Sequence, residues 1–393
     1  MPLRPPAGFV SANFDPLKNP DAPTGVTASG GDTQASVSFS APGNPGGSAI
    51  SAYYAVSNPG RITVSGATSP ITVTGLTNGT AYTFQVWALN SYGPGAFSAA
   101  SGSVTPAAAR GVFGGGGVTI DYVTISTTGN AINFGNLSFS PTTNLASCAS
   151  STRGIFGGGS SSNNTIQYIT IATTSNSLDF GDLTVARVYP AACSSSTRGV
   201  FGGGFDGTVD VNTIDYITIA TTGNATNFGA LTISRRGLAA CSSSTRGIFA
   251  GGQGAGSKLN RIDFITIAST GNATNFGNLT ITRDKLGGCS SATRGVFGGG
   301  EDSGGSRINV IDYVEIATTG NAIDFGDLTV SRFGLAACSS LTRGLFGGGN
   351  TGLSTNVIDY VTITSVGNAT DFGDLTVARS DLAACSNGHG GLA

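Results

Sequence analysis

Few residues in this chain are of a type and spacing that could do chemistry. The 393 residues include one histidine, His389, in a glycine-rich tail. Six cysteines, at 148, 193, 241, 289, 338 and 385, each stand at the same place in a recurring context such as LAAC or PAAC. They contain no CxxC pair, so neither a zinc site nor a redox dithiol is indicated, and no metal or cofactor is expected. They read as small buried thiols, one per repeat. Carboxylates can do general acid–base work without histidine. However, Asp182, Asp327 and Asp374 recur at one position where other copies carry Asn136, Asn278 and Ala230. That recurrence points to a turn. Asp-Phe-Gly at 179, 324 and 371 matches a magnesium-binding triplet of phosphoryl-transfer enzymes. It alternates with Asn-Phe-Gly and has no companion catalytic loop. The glycine runs lack the Gly-Lys-Ser/Thr ending of a phosphate loop. The run at 251–256 leads into a strand and not into the helix that a dinucleotide site uses. A catalytic constellation is absent, and the chain is expected not to be an enzyme.

The elements that carry these residues form a long repeat. Arg-Gly recurs at Arg110, Arg153, Arg198, Arg246, Arg294 and Arg343, at spacings of 43, 45, 48, 48 and 49 residues. Within residues 238–281 the pattern predicts four strands: LAACSSS, RGIFAGG, RIDFITIAS and ATNFGNLTI. β-Branched and aromatic residues favour the third and fourth. Small side chains suit a first strand crowded about a common axis. A period of 40 to 50 residues with four strands is that of a propeller blade. The chain enters at a second strand and leaves after a first strand, 381–386. The last strand is therefore expected to complete the first blade and close a six-bladed ring over 110–388.

Six copies in one chain separate framework from function. What recurs serves the fold; what differs is free to bind. Two segments vary most, the loop between second and third strands (three to ten residues long) and the stretch before each first strand. Both are expected on one face. The candidate binding residues there are Tyr189, Asp206, Asp210, Arg236, Lys258, Arg261, Asp284, Lys285, Glu301, Asp302, Arg307 and Phe333, with Asp381 beside them. They are expected to be exposed and free of structural duty.

The repeat resembles the kelch repeat of galactose-oxidase-like propellers. The glycine run after the second strand matches the kelch doublet. Tyr122, Tyr168, Tyr216, Phe264, Tyr313 and Tyr360 match its aromatic, and Phe134, Phe180, Phe228, Phe276, Phe325 and Phe372 stand near its Trp. Arg187, Arg235, Arg283, Arg332 and Arg379 occupy an arginine position where the first copy has Ser140 and Pro141. The copper site known in that group needs histidines this chain does not have, and the Asp-box of sialidases is missing. Upstream, residues 21–106 resemble a fibronectin type III domain through APTGVTAS, VSFSAP, GGSAISAYYAVS, ITVTGLTNGTAYTFQVWALN and SGSVTP. Short alternating runs between Gly, Pro and Asn are the signature of a β-sandwich. Tyr82 matches a tyrosine corner, and Phe39 stands for the usual Trp. No Arg-Gly-Asp is present. The fold class is thus all-β: a fibronectin type III sandwich followed by a six-bladed kelch-like propeller, with residues 107–109 as linker.

Charged residues are only 10% of the chain, Gly reaches 62 and net charge is −2, so no basic stripe for nucleic acid exists. No apolar run approaches the ~20 residues of a membrane span, and MPLRPPAGFV lacks the core of a secretory signal. Residues 1–20, with Phe9 and Phe14, read as an extended anchoring arm that orders against a partner, or as a disordered terminus. This plan resembles virion proteins of tailed bacteriophages. The resemblance implies a tail-fibre or surface adhesin located in the virion. It would be anchored to other virion subunits through the arm, be present in several copies as a homo-oligomer, and bind a host-surface glycan or protein. A secreted carbohydrate-active enzyme and a purely structural decoration protein are the alternatives. Thiol titration of the denatured, unreduced chain should return six thiols, because first-strand cysteines of different blades are too far apart to bridge. Any intrachain disulfide would contradict this alignment of the repeats.

Overall fold

The computed structural model describes residues 18–139, 142–160 and 163–392. The expected arm lies outside the described residues as far as residue 17, as do Ser140 and Pro141. The chain divides into two compact units, one ending at Ala108 and one beginning at Ala109.

The first unit is a β-sandwich. Its three-stranded sheet pairs Thr24–Gly31, Gln34–Ser40 and Ile71–Thr74. Its four-stranded sheet has the order Thr63–Gly66, Ala52–Asn58, Thr83–Asn90, Gly93–Pro94. Strand alternation turns Val37, Phe39, Ile71 and Val73 from one sheet toward Tyr53, Ala55, Phe84 and Val86 from the other, giving one core. Phe39 packs on Tyr53 with ring centroids 4.9 Å apart, so it fills the large-aromatic position.

Among the described residues, the second unit contains six four-stranded antiparallel sheets. Each runs in sequence order except the first, in which Leu382–Ser386 pairs with Arg110–Gly115, followed by Thr119–Thr124 and Ile132–Asn136. The fourth sheet is typical: Ala239–Ser242, Arg246–Ala250, Arg261–Thr266, Thr274–Asn278. None of the sheets closes on itself as a barrel. Instead, their first strands pack against one another in cyclic order, with Leu382–Ser386 between Ala336–Ser339 and Ala146–Ala149. Serine hydroxyls follow the same cycle. Ser194 Oγ donates to Ala149 O, Ser242 to Ser194 O, Ser290 to Ser242 O, Ser339 to Ser290 O and Ser386 to Ser339 O, at 2.5–2.8 Å. Ser147 Oγ completes it by donating to Ala384 O.

The six cysteines are free and buried. Each thiol sits in the notch left by the Arg-Gly glycine of the next sheet. A Cβ on Gly199 would lie 2.7 Å from Cys148 Sγ, and one on Gly111 2.7 Å from Cys338 Sγ. Burial pushes the thiols of Cys193, Cys289 and Cys385 up to about 12, which leaves almost no nucleophilic thiolate at neutral pH.

Neighbouring sheets are fastened by buried ion pairs. Arg187, Arg235, Arg283, Arg332 and Arg379, each beyond the fourth strand of one sheet, reach Asp215, Asp263, Asp312, Asp359 and Asp121 on the third strand of the next. The N–O distances are 2.8–3.1 Å and burial is nearly complete. The same guanidinium donates to a second-strand carbonyl, as Arg235 does to Phe249 O at 3.2 Å. The other carboxylate oxygen accepts a threonine hydroxyl, as Asp263 does from Thr232 at 2.6 Å. Burial lowers each arginine, and the facing aspartate opposes that shift. At the sixth junction the sequence has Pro141 at the arginine position, and Gln167 stands where the other sheets carry the aspartate. Gln167 Oε1 accepts from the Ser138 and Phe139 amides and from Ser177 Oγ. Its Nε2 donates to Phe139 O at 3.0 Å. A charged pair has been exchanged whole for a neutral amide. Removing one partner of a buried pair leaves the other charge uncompensated, at about 3–5 kcal/mol. Asp263→Gln should lower the unfolding free energy by about that much, and Gln167→Asp by a similar amount, because no guanidinium is available to pair with the new carboxylate. Chemical denaturation checks both; a neutral Gln167→Asp would show that charge matching at the junctions does not matter.

Candidate functional site

The stretch before each first strand has to turn the chain from the outside of one sheet to the axis of the ring. It does so with a left-handed residue. Asn144, Tyr189, Gly237, Lys285, Gly334 and Asp381 have φ of 53–64°. These six residues form a closed collar of main-chain hydrogen bonds. Asn144 donates its N–H to Asp381 O, Tyr189 to Asn144 O, Gly237 to Tyr189 O, Lys285 to Gly237 O, Gly334 to Lys285 O and Asp381 to Gly334 O, at 2.7–3.1 Å. Glycine takes this conformation freely, and Asn and Asp take it more readily than most residues. Tyr189 and Lys285 have no such intrinsic reason, and the cost of holding them there is of order 1–3 kcal/mol each.

The collar rims a cavity of about 70 Å³ whose floor is Leu145, Pro190, Leu238, Leu286, Leu335 and Leu382. Lys285 Nζ lies 5.6 Å from the Tyr189 ring and 4.9 Å from the Phe333 ring. The Arg307 guanidinium also lies over the Phe333 ring, 5.7 Å from its centroid. Burial raises the Asp381 carboxyl, and the Lys285 ammonium opposes this. Burial, then the Asp381 charge, raises the Tyr189 phenol. Asn144 Oδ1 is buried without a hydrogen-bond partner among the described residues.

The variable loops between second and third strands lie beside the collar segments. Val188 bridges to Phe205, Arg236 to Gln253, Asp284 to Glu301 and Phe333 to Asn350. The structure therefore brings together Tyr189, Lys285, Phe333 and Arg307 of the expected set. It gives several others structural duty, against the expectation that they are free. Lys258 joins Asp284 at 3.0 Å and Glu301 at 2.5 Å, tying the fourth sheet's loop to the fifth. Arg236 pairs with Asp210 at 3.3 Å and covers Phe205. Arg261 opens a third strand and holds buried Asp263 at 3.2 Å. Asp206 Oδ1 accepts from the Thr208 and Val209 amides, and Asp302 Oδ1 from those of Gly304 and Ser306, so both shape their own loop tips. Asn144 was missed because its significance is a backbone angle and an orphan oxygen. A signal was present: Asn, Gly, Gly and Asp at aligned positions all tolerate that angle.

In the N-terminal unit, the Tyr82 hydroxyl accepts the Thr77 amide at 3.1 Å, which makes the tyrosine corner, and Tyr82 bridges to Val104. Residues 21–103 match the family model of the fibronectin type III domain. No curated protein matches the chain. The fibronectin type III domain stacks Tyr54 on Trp87, 4.1 Å apart and nearly parallel, across two paired strands outside its core.

The far end of the ring is stoppered. The tail turns through the short helix Gly390–Leu392 and places His389 among the first-strand serines and cysteines. His389 Nε2 lies 3.0 Å from Ala149 O, and Nδ1 accepts from the Gly391 amide at 3.1 Å. These partners assign the proton to Nε2 and require a neutral ring. Burial lowers the imidazole below its usual value, and the bond to Ala149 O partly offsets this. No Asp, Glu, Lys or Arg lines that cavity. Unfolding frees His389 to bind a proton at about pH 6.5 and below. Its contribution is therefore complete above that pH and is lost as the pH falls through the lower folded value. The melting temperature of the parent should drop between pH 7.5 and 5.5 more than that of His389→Gln. Asp381 and Asp210, whose carboxyls burial raises, titrate alike in both proteins and cancel. Parallel pH profiles would mean that His389 is not held neutral.

Proposed function

We propose that residues 110–388 are a six-bladed, kelch-like β-propeller, and that the chain is a bacteriophage virion protein, a tail fibre or surface adhesin, that displays it to bind the host surface. The propeller reading is supported by the cyclic packing of the six first strands and by the pairing of Leu382–Ser386 with Arg110–Gly115. The virion reading is supported by the sequence plan: a short leading segment, an immunoglobulin-like module and a charge-poor repeat head. Residues 1–20 would join other virion subunits, and the assembled particle would carry several copies.

One observation carries the binding role. The collar holds Tyr189 and Lys285 in a backbone conformation that such residues avoid, within a frame whose other variable positions are glycine, asparagine and aspartate. Strain kept where the framework does not need it points to a duty of the side chain. The groups at this mouth suit recognition: two aromatic faces, an ammonium, a carboxylate and an amide over an apolar floor. No nucleophile with an activating base accompanies them, so the reading is a non-catalytic adhesin.

The purified full-length chain, fluorescently labelled, should bind cells of a susceptible bacterium and, in excess, reduce attachment of particles that carry it. Lys285→Gly with Tyr189→Gly should abolish that binding while the melting temperature holds. Full binding by the double variant would place recognition elsewhere on the molecule.

A further inference from the structure

The collar restricts what can enter it. All six of its amides and all six of its carbonyls are spent on one another. An extended peptide that docks by strand addition needs free main-chain donors and acceptors, and here there are none. A phosphate or sulfate would look for a nest of free amides or several cations. Among the residues lining the cavity it would meet one cation, Lys285, which shares that lining with the Asp381 carboxylate. A quaternary ammonium would be repelled by the like charge of Lys285, whose ammonium lies near both aromatic rings.

What remains is a neutral ligand with one apolar face and an edge of hydroxyls. We infer that the collar is a subsite for the terminal neutral pyranose of a surface glycan. This rests on the reading of the collar as the binding mouth. The ring C–H face of the sugar stacks on Tyr189. One hydroxyl donates to Asn144 Oδ1, a buried acceptor with no partner among the described residues. A second donates to Asp381 and accepts from Lys285. The cavity of about 70 Å³ over a leucine floor takes the protruding end of the sugar, such as a hydroxymethyl group, and leaves the rest of the ring on the rim. The two glycines of the collar have a place in this scheme. Gly237 and Gly334 flank Lys285 in the cycle; a Cβ on Gly334 would stand 2.9 Å from Asp381 Oδ1, and one on Gly237 3.5 Å from Asp284 Oδ2.

The probes are the methyl pyranosides of glucose, galactose and mannose, with methyl glucuronide as the charged comparison, read by saturation-transfer NMR on the full chain. At least one neutral pyranoside should bind in the millimolar range expected of a single sugar and in preference to the glucuronide. Tyr189→Gly and Asp381→Asn should each weaken it by about tenfold or more, the loss of one stacked or charge-assisted contact. Tyr189→Gly should melt at or above the parent temperature, because glycine relieves the left-handed backbone. Asp381→Asn keeps shape and backbone preference, so it reports on the contact even if the glycine variant folds poorly. Equal binding by parent and variants, preference for the glucuronide, or no pyranoside binding at all would overturn the inference. In the last case, cell binding that still depends on Tyr189 and Lys285 would leave the adhesin reading standing and exclude only the sugar.

Discussion

The ring depends on a guanidinium buried against a carboxylate at five of its junctions. Taking two charges out of water is expensive, and a matched apolar pair would often hold the sheets as well. What the pair adds is position. The arginine leaves one sheet and finds both an aspartate and a main-chain carbonyl on the next, so each sheet is indexed to its neighbour in two directions. The phenylalanine one sheet on fits only against glycine or alanine. A Cβ on Gly202 would approach Phe249 to 2.8 Å, for instance. Ion pair, thiol notch and ring contact repeat around the cycle and agree on one angle between sheets. That agreement across independent contacts is what gives a single native arrangement.

The sixth junction shows the rule by its exception. Sequence reading notes that the first copy has Ser140 and Pro141 at the arginine position, but gives no consequence. The structure supplies it in Gln167, which stands where every other copy has aspartate in the Ile-Asp-Tyr or Ile-Asp-Phe run. The two changes are 26 residues apart and in different copies, yet they remove one positive and one negative charge from the same buried place. No local pattern could have linked them, because strand periodicity says which face a residue takes and nothing about its partner in the next sheet.

Much else was legible. Period, strand types and the place of the cysteines follow from recurrence, and the sandwich from alternation and the tyrosine corner. The candidate site was legible only in part. The variable segments pointed to the collar and the loops beside it, but variation alone could not separate Lys258, which bridges two sheets, from Lys285, which lies near two rings. Charge at a loop suggests freedom; a carboxylate brought beside it by tertiary structure removes that freedom. The collar itself was legible at four positions, where Asn144, Gly237, Gly334 and Asp381 announce a left-handed φ, and hidden at Tyr189 and Lys285, which do not.

The collar also explains how a repetitive frame can support a non-repetitive site. Its hydrogen bonds are made by main chain alone, so they form whatever side chain is present. The conformation is set by the cycle, and each of the six positions is then free to carry a different group at the cost of its own strain. Four positions carry functional groups and two carry glycine, which is the least strained choice and the one that makes space. At the opposite end the tail leaves no such freedom. Gly390 and Gly391 lie so close to the carbonyls of Ser291 and Ser194 that any Cβ would clash, and His389 fills the axis. Among the described residues, those of the collar and the loops beside it can therefore vary with less disturbance to the sheets than those around His389.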